Sequence, residues 1–190
     1  MSAIEVCKWM WMGWAALWIA WSVRTKRAQV RLDWWQTLTY VVPTAAGGWL
    51  FFARSSMPSR VGVRWGVIPP IPWVMWLGAA VTLAGFLFAV WARLSLGRNW
   101  SGMVTVKHEH QLIRTGPYRF VRHPIYLGIL IAMVGTTICR GNLWSFVGVA
   151  LVWLGLWLKL RFEERFMVET FGAEYESYRR TTGAILPRLL

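Results

Sequence analysis

The stretch Pro124 to Glu164, PIYLGILIAMVGTTICRGNLWSFVGVALVWLGLWLKLRFEE, decides the fold. Pro124 suits the first turn of a helix, where its missing N–H costs nothing. From Ile125 to Cys139 no residue is charged, and Arg140-Gly141-Asn142 then reads as a tight turn. A second apolar run, Leu143 to Phe162, follows and ends on the pair Glu163-Glu164. A hydrocarbon core of about 30 Å needs roughly 20 helical residues at about 1.5 Å each. The second run meets that length; the first supplies only about 22 Å. So short a connection predicts a helical hairpin, with the short helix starting inside the membrane rather than at its surface.

Working outward, Val6 to Val23 is a span stopped by Arg24, Lys26 and Arg27. Trp35 to Ala53 is another, with Pro43 as a kink and Gly47-Gly48 as a close-packing point. Arg54 to Pro72 holds Pro58, Pro69 and Pro70 and reads as a loop, and Trp73 to Trp91 is a third span. Together these predict an all-α integral membrane protein with five transmembrane helices. Composition agrees. The 190 residues are 56% hydrophobic and 15% charged, whereas soluble domains lie near 45–50% and about 25%. Sixteen tryptophans suit the membrane–water interface. Cys7 and Cys139 are too few for a disulfide framework.

The net charge of +13 does not point to nucleic acid, because the basic residues cluster between apolar runs, where anionic headgroups are their partners. With the amino end outside, the inner segments Arg24 to Arg31, Arg93 to Arg122 and Lys159 to Arg188 hold 16 of the 21 basic residues. That split follows the positive-inside rule. It places the long polar segment Ala92 to His123 and the carboxyl tail together on the cytoplasmic face. Met1 to Lys8 is not strongly basic and no small-residue cleavage site follows, so no cleavable signal peptide is expected. Glu163 to Tyr178 reads as an amphipathic helix continuing the last span and ending near Gly183 and Pro187.

Five of the eight acidic residues fall between 163 and 176. At the edge of the apolar zone, Glu163-Glu164 marks either a helix exit neutralised by Lys159, Arg161 and Arg165 or a functional site with a partner. Arg122-His123 precedes the Pro124 helix start, where free N–H groups and the dipole favour an anion and arginine adds a fork for a carboxylate. Its alternative is an interfacial anchor, with Arg122 on lipid phosphate and Tyr118 and Tyr126 in the aromatic belt. His108, His110 and His123 lack the companions of a metal set, so no metal is expected. Neither a dinucleotide fingerprint nor a phosphate loop occurs.

The ordered set His110-x-Leu112-Ile113, Gly116-Pro117-Tyr118, Arg122-His123-Pro124-x-Tyr126-x-Gly128, Glu163-Glu164 and Phe171-Gly172-x-x-Tyr175-x-x-Tyr178 resembles the isoprenylcysteine carboxyl methyltransferase family. The phospholipid N-methyltransferases are more distant relatives. The likeness covers about residues 96–190, and the five-span size is similar to prokaryotic members. The three spans read from the apolar runs occupy 1–95, and the resemblance implies a methyltransferase core over 96–190 with a cytoplasmic pocket for S-adenosylmethionine. It implies that His110, Gln111, Leu112 and Ile113 hold the adenosine end through backbone and apolar contacts. Tyr118, His123, Pro124, Ile125, Tyr126 and Glu163 match further cofactor contacts, and Glu164 matches the second glutamate.

Lys159 stands where several members carry an arginine for the substrate carboxylate, keeping the charge without the fork. Glu163 suits the cofactor's ammonium, and Arg122 with the helix start suits its carboxylate. The implied enzyme methylates a lipophilic or lipidated acceptor, with membrane lipids as its surroundings, in a prokaryotic cytoplasmic membrane with the C-terminus inside. A carboxylate acceptor needs no general base. A lipid amine is the rival acceptor, and would need one from Glu163, Glu164 or His123. A nicotinamide-dependent sterol-type reductase and a non-catalytic membrane protein are the alternatives outside the class.

Overall fold

The computed structural model describes residues 1–22, 33–52, 66–97 and 112–188. Their regular elements are helices: α1 (Ala3–Ser22), α2 (Trp34–Phe52), α3 (Pro72–Leu96), α4 (Pro124–Arg140), α5 (Leu143–Phe171) and α6 (Ala173–Thr181), with a 3-10 turn at Gly116–Arg119 before α4. Proline opens α3 and α4, each after a residue outside the helical region. Pro43 lies inside α2.

The turn between α4 and α5 is built locally. Gly141 is left-handed, with φ near 60°, and a Cβ there would sit 2.5 Å from the Ile68 carbonyl oxygen. Glycine is needed on both counts. Asn142 then caps α5, its side chain accepting from the Ser145 N–H at 2.9 Å. α4 is 17 residues long, about 25 Å, so it is short, as expected.

Two boundaries differ from the sequence reading. α3 runs on to Leu96 rather than ending near Trp91. α5 carries the chain past the glutamates to Phe171, then Gly172, with φ near 52°, breaks it before α6. The expected continuous tail helix is therefore two helices. The cause is local: Gly172 tolerates a positive φ that stops α5 and redirects the chain.

The hairpin also packs differently from a self-contained pair. α4 lies antiparallel along α3 at glycine contacts: a Cβ on Gly135 would meet the Gly78 oxygen at 2.5 Å, and one on Gly128 the Gly85 oxygen at 2.7 Å. α5 lies along α2 in the same way, Gly47 and Gly148 each 2.7 Å from the other's carbonyl oxygen by the same measure. α4 and α5 meet through Leu130, Met133, Val152, Leu156 and Leu160, with Phe51 of α2. Gly47 is thus a close-packing point, as read; Gly48 faces open space.

α3 shows the logic of the fold. Gly78, Ala79, Thr82, Gly85, Ala89 and Ala92 are buried, while Trp73, Trp76, Leu83, Leu87, Trp91 and Leu94 are exposed. Small residues inside and large apolar residues outside let helix backbones approach while the outer face meets hydrocarbon. α3 and α5 are each long and apolar enough to cross a membrane, with mean hydropathy 2.0 and 1.8 over their best windows. α5 is 29 residues, about 43 Å, which leaves more than two turns beyond a core of about 30 Å. Glu163 and Glu164 fall in the last third of this helix.

Candidate active site

The approach to α4 is fixed by the carboxyl tail. Val121 pairs with Gly183 in an isolated parallel bridge. The Arg122 N–H donates to the Gly183 carbonyl and the His123 N–H to the Ala184 carbonyl, both at 2.9 Å. α6 is pinned beside it: the Tyr178 hydroxyl donates to the Tyr118 carbonyl. Arg114 pairs with Glu174 at 2.8 Å and lies over the Tyr178 ring. Burial pushes the phenol of Tyr178 up to about 12, and those of Tyr118 and Tyr175 higher still. They are neutral wedges at ordinary pH.

Onto this frame α5 brings its glutamates. Arg122 meets Glu164 Oε1 with Nε at 2.7 Å and Nη2 at 2.6 Å, and its Nη1 donates to the carbonyls of Arg179 and Thr182. His123 stands between the carboxylates, Nδ1 3.5 Å from Glu163 Oε2 and Nε2 3.4 Å from Glu164 Oε1. The approach of Nε2 to Glu164 lacks hydrogen-bond geometry, and that nitrogen is buried without a hydrogen-bond partner. The imidazole stacks on Tyr126, centroids 5.4 Å apart and planes 5° apart.

The Tyr126 hydroxyl donates to Glu163 Oε1 at 2.6 Å, and Lys159 Nζ, one turn earlier on α5, lies 3.7 Å from the same oxygen. Lys159 also sits over two rings, Tyr126 at 5.5 Å and Tyr40 at 6.0 Å. Side-chain exposure runs from 8% at Arg122 to 19% at Glu163. At this depth two anions are sustained by an arginine, a lysine, an imidazole and a phenol. Unpaired, each carboxylate would cost several kcal/mol.

Arg122, His123, Tyr126, Lys159, Glu163 and Glu164 therefore form one cluster where the start of α4 meets the polar end of α5. Pro124 and Ile125 are buried directly behind it. Ile113 packs with Tyr118 and Ile125 on the adjoining apolar wall; Leu112 is half-buried. His110 and Gln111 lie outside the described residues. The sequence pointed to Arg161 and Arg165 among the neutralising cations, but Glu164 takes Arg122 instead. Tyr40 of α2, and the tail carbonyls that hold Arg122, had no signal in the sequence: each is brought in by packing from a distant segment.

The sequence profile of the phospholipid methyltransferase family matches residues 73–174, more than half the chain and the whole of this cluster. The chain belongs to that family. Its relatives include a probable protein-S-isoprenylcysteine O-methyltransferase of Oryza sativa, 34% identical over 60% of this chain and 61% of the relative. The protein-S-isoprenylcysteine O-methyltransferase of Saccharomyces cerevisiae is 32% identical over 58% of this chain and 48% of the relative. Methanethiol S-methyltransferase 1 of Bradyrhizobium diazoefficiens is 26% identical over 84% of this chain and 60% of the relative. The chain thus spans about half to three fifths of the length of these curated relatives.

The fold is shared with the eukaryotic intramembrane Ras methyltransferase ICMT, at TM-score 0.57 and 24% identity, covering 78% of this chain and 52% of that one. The resemblance to isoprenylcysteine carboxyl methyltransferases holds. Family membership and the outward apolar faces together make this a membrane protein.

Proposed function

We propose that the protein is a five-span, S-adenosylmethionine-dependent methyltransferase of a prokaryotic cytoplasmic membrane, acting on a lipophilic acceptor, with a carboxylate as the leading acceptor. The observation that carries this is the convergence of Arg122-His123, Tyr126 and Glu163-Glu164 in a chain of this family. The orientation has the N-terminus outside and the cluster on the cytoplasmic side, where the cofactor arrives.

The residues fit that cofactor. Glu163 keeps acceptor capacity beyond its Tyr126 hydrogen bond, which suits an ammonium. His123 Nε2 is a buried polar atom still wanting a partner. Apolar Leu112 and Ile113, with Tyr118 and Ile125, offer a wall for a purine, joined in the proposal by His110 and Gln111. When bound, the cofactor supplies a sulfonium methyl group as electrophile. Arg122 is occupied by Glu164 and by tail carbonyls, so its part is to hold that glutamate and close the tail over the site. Lys159, steadied by Tyr126 and Tyr40, is the group that meets an acceptor anion. An ionised carboxylate is already nucleophilic, so alignment and exclusion of water are what the chain must supply.

A thiol acceptor is the second reading. It is favoured by the methanethiol S-methyltransferase, whose match extends over 84% of this chain against 60% for the Oryza relative. A thiol must lose a proton before transfer, and His123, held between two carboxylates, is placed to receive it.

Calorimetric titration of the detergent-solubilised protein with S-adenosylhomocysteine is expected to saturate. Glu163→Ala should weaken that affinity at least tenfold, because the ammonium then lies unpaired in a shielded site. A flat wild-type trace beside saturable NADPH binding would transfer the assignment to a reductase. Unchanged affinity in Glu163→Ala would remove Glu163 from the site.

A further inference from the structure

Cys7 and Cys139 are the only cysteines of the chain. The fold brings them together across 132 positions of sequence, Sγ to Sγ 3.5 Å. Both are buried, at 1% and 3% exposure, where α1, α3 and α4 meet. The surroundings are shaped for sulfur. The Cys139 thiol donates to the Met75 carbonyl at 2.9 Å, and Cys7 Sγ lies 3.8 Å from Thr82 Oγ1. Gly78 leaves the space, since a Cβ there would stand 2.8 Å from Cys139 Sγ.

A disulfide has its sulfurs about 2.05 Å apart, so bonding requires an approach of roughly 1.5 Å. Rotation about the two χ1 torsions is the movement through which the sulfurs would approach. The pair sits at the C-terminal end of α4, whereas His123 stands at its N-terminus. About 24 Å of helix separates the sulfurs from the methyl-transfer cluster. In the proposed orientation this end faces away from the reducing cytoplasm and towards the oxidising side, where disulfides persist.

We propose that Cys7 and Cys139 are a disulfide-forming pair, a modification site at which a small organic disulfide bolts α1 onto α4. The step is thiol–disulfide exchange. One cysteine thiolate attacks a sulfur of the oxidant and expels a thiolate; the second cysteine thiolate attacks the resulting mixed disulfide and expels the other. One S–S bond breaks and one forms. The oxidant leaves as two thiols, which carry off the two protons the cysteines release. The link closes a loop that spans most of the chain, so it restrains the unfolded ensemble and ties down a helix otherwise held by contacts such as Trp11 on Phe51 and Phe86 and its hydrogen bond to Thr136.

The test uses membranes containing the full chain, treated with dithiodipyridine or with dithiothreitol, then denatured and labelled with polyethylene-glycol maleimide. The reduced sample should gain two adducts. The oxidised sample should gain none, with an intact mass lower by two hydrogens and a higher melting temperature than the reduced form. Cys7→Ser should lose that difference in melting temperature; if the variant does not fold, the two wild-type samples decide alone. Two maleimide adducts after oxidation, or thiopyridyl groups retained on the cysteines, would overturn the proposal.

Discussion

Arg122 spends its guanidinium on a buried carboxylate and on two carbonyls at the end of α6, which sets what its loss must do. Arg122→Ala leaves Glu164 shielded and without its arginine, with the His123 imidazole 3.4 Å away; losing one partner of a buried pair costs about 3–5 kcal/mol. It also releases the tail from the approach to α4. The variant should melt well below wild type, and trypsin should cut after Arg179 or Arg180 faster. Arg122→Lys should fall between the two, since lysine restores charge but cannot serve Glu164 and the tail at once. Wild-type proteolysis in Arg122→Ala would show that something else holds the tail. Affinity for S-adenosylhomocysteine should fall less than in Glu163→Ala, because Arg122 acts on the site through Glu164.

Helix packing asks for a different kind of evidence. Gly135 faces the Gly78 oxygen and the Thr82 nitrogen, each 2.5 Å from where a Cβ would stand. Both obstacles are backbone, so Gly135→Val must push α3 and α4 apart; overpacking of this sort costs about 1–3 kcal/mol or more. Gly13 has nothing within 4 Å of its would-be Cβ, and Gly13→Ala should be neutral or stabilise by up to about 1 kcal/mol. Thermal unfolding in detergent compares the two. Similar losses in both would mean that the α3–α4 contact is not what the glycines serve. The same contrast explains what could be read from the sequence. Pro124, Arg140-Gly141-Asn142 and the glutamates leaving the apolar run are local signals, and each appears where the sequence put it. The face α4 turns to α3 had no such signal, because a helix apolar on every side lacks the 3.6-residue alternation that marks a buried face in water. The Gly172 break was written in the sequence, but a lone glycine does not by itself mark a helix end, since Gly148 and Gly155 lie inside α5. Arg122 was legible as a candidate site residue, and the structure brings it into the cluster, whereas its partners on the tail depend on a chain reversal that no local pattern encodes.

At the scale of the whole molecule the open quantity is the acceptor, and the arrangement turns it into a question about bond type. The cluster lies at the polar end of α5; in the proposed orientation that end would receive a soluble cofactor from the cytoplasm and an apolar acceptor from the membrane. Lys159 with its two rings favours an anion there, which makes an ester the expected product. The thiol reading gives a thioether and the lipid-amine reading an N-methyl group; both resist base, whereas an ester releases methanol. Membranes containing the protein, incubated with S-adenosylmethionine labelled in its methyl group and then treated with base, should therefore yield volatile labelled methanol. Label that escapes before base is added, as a small volatile sulfide would, points to the thiol acceptor and to His123 as the proton's destination. Label that stays with the lipid through base treatment points to an amine. In either of those cases Lys159→Ala should spare the acceptor requirement, whereas for a carboxylate it should raise the acceptor KM severalfold with cofactor affinity unchanged.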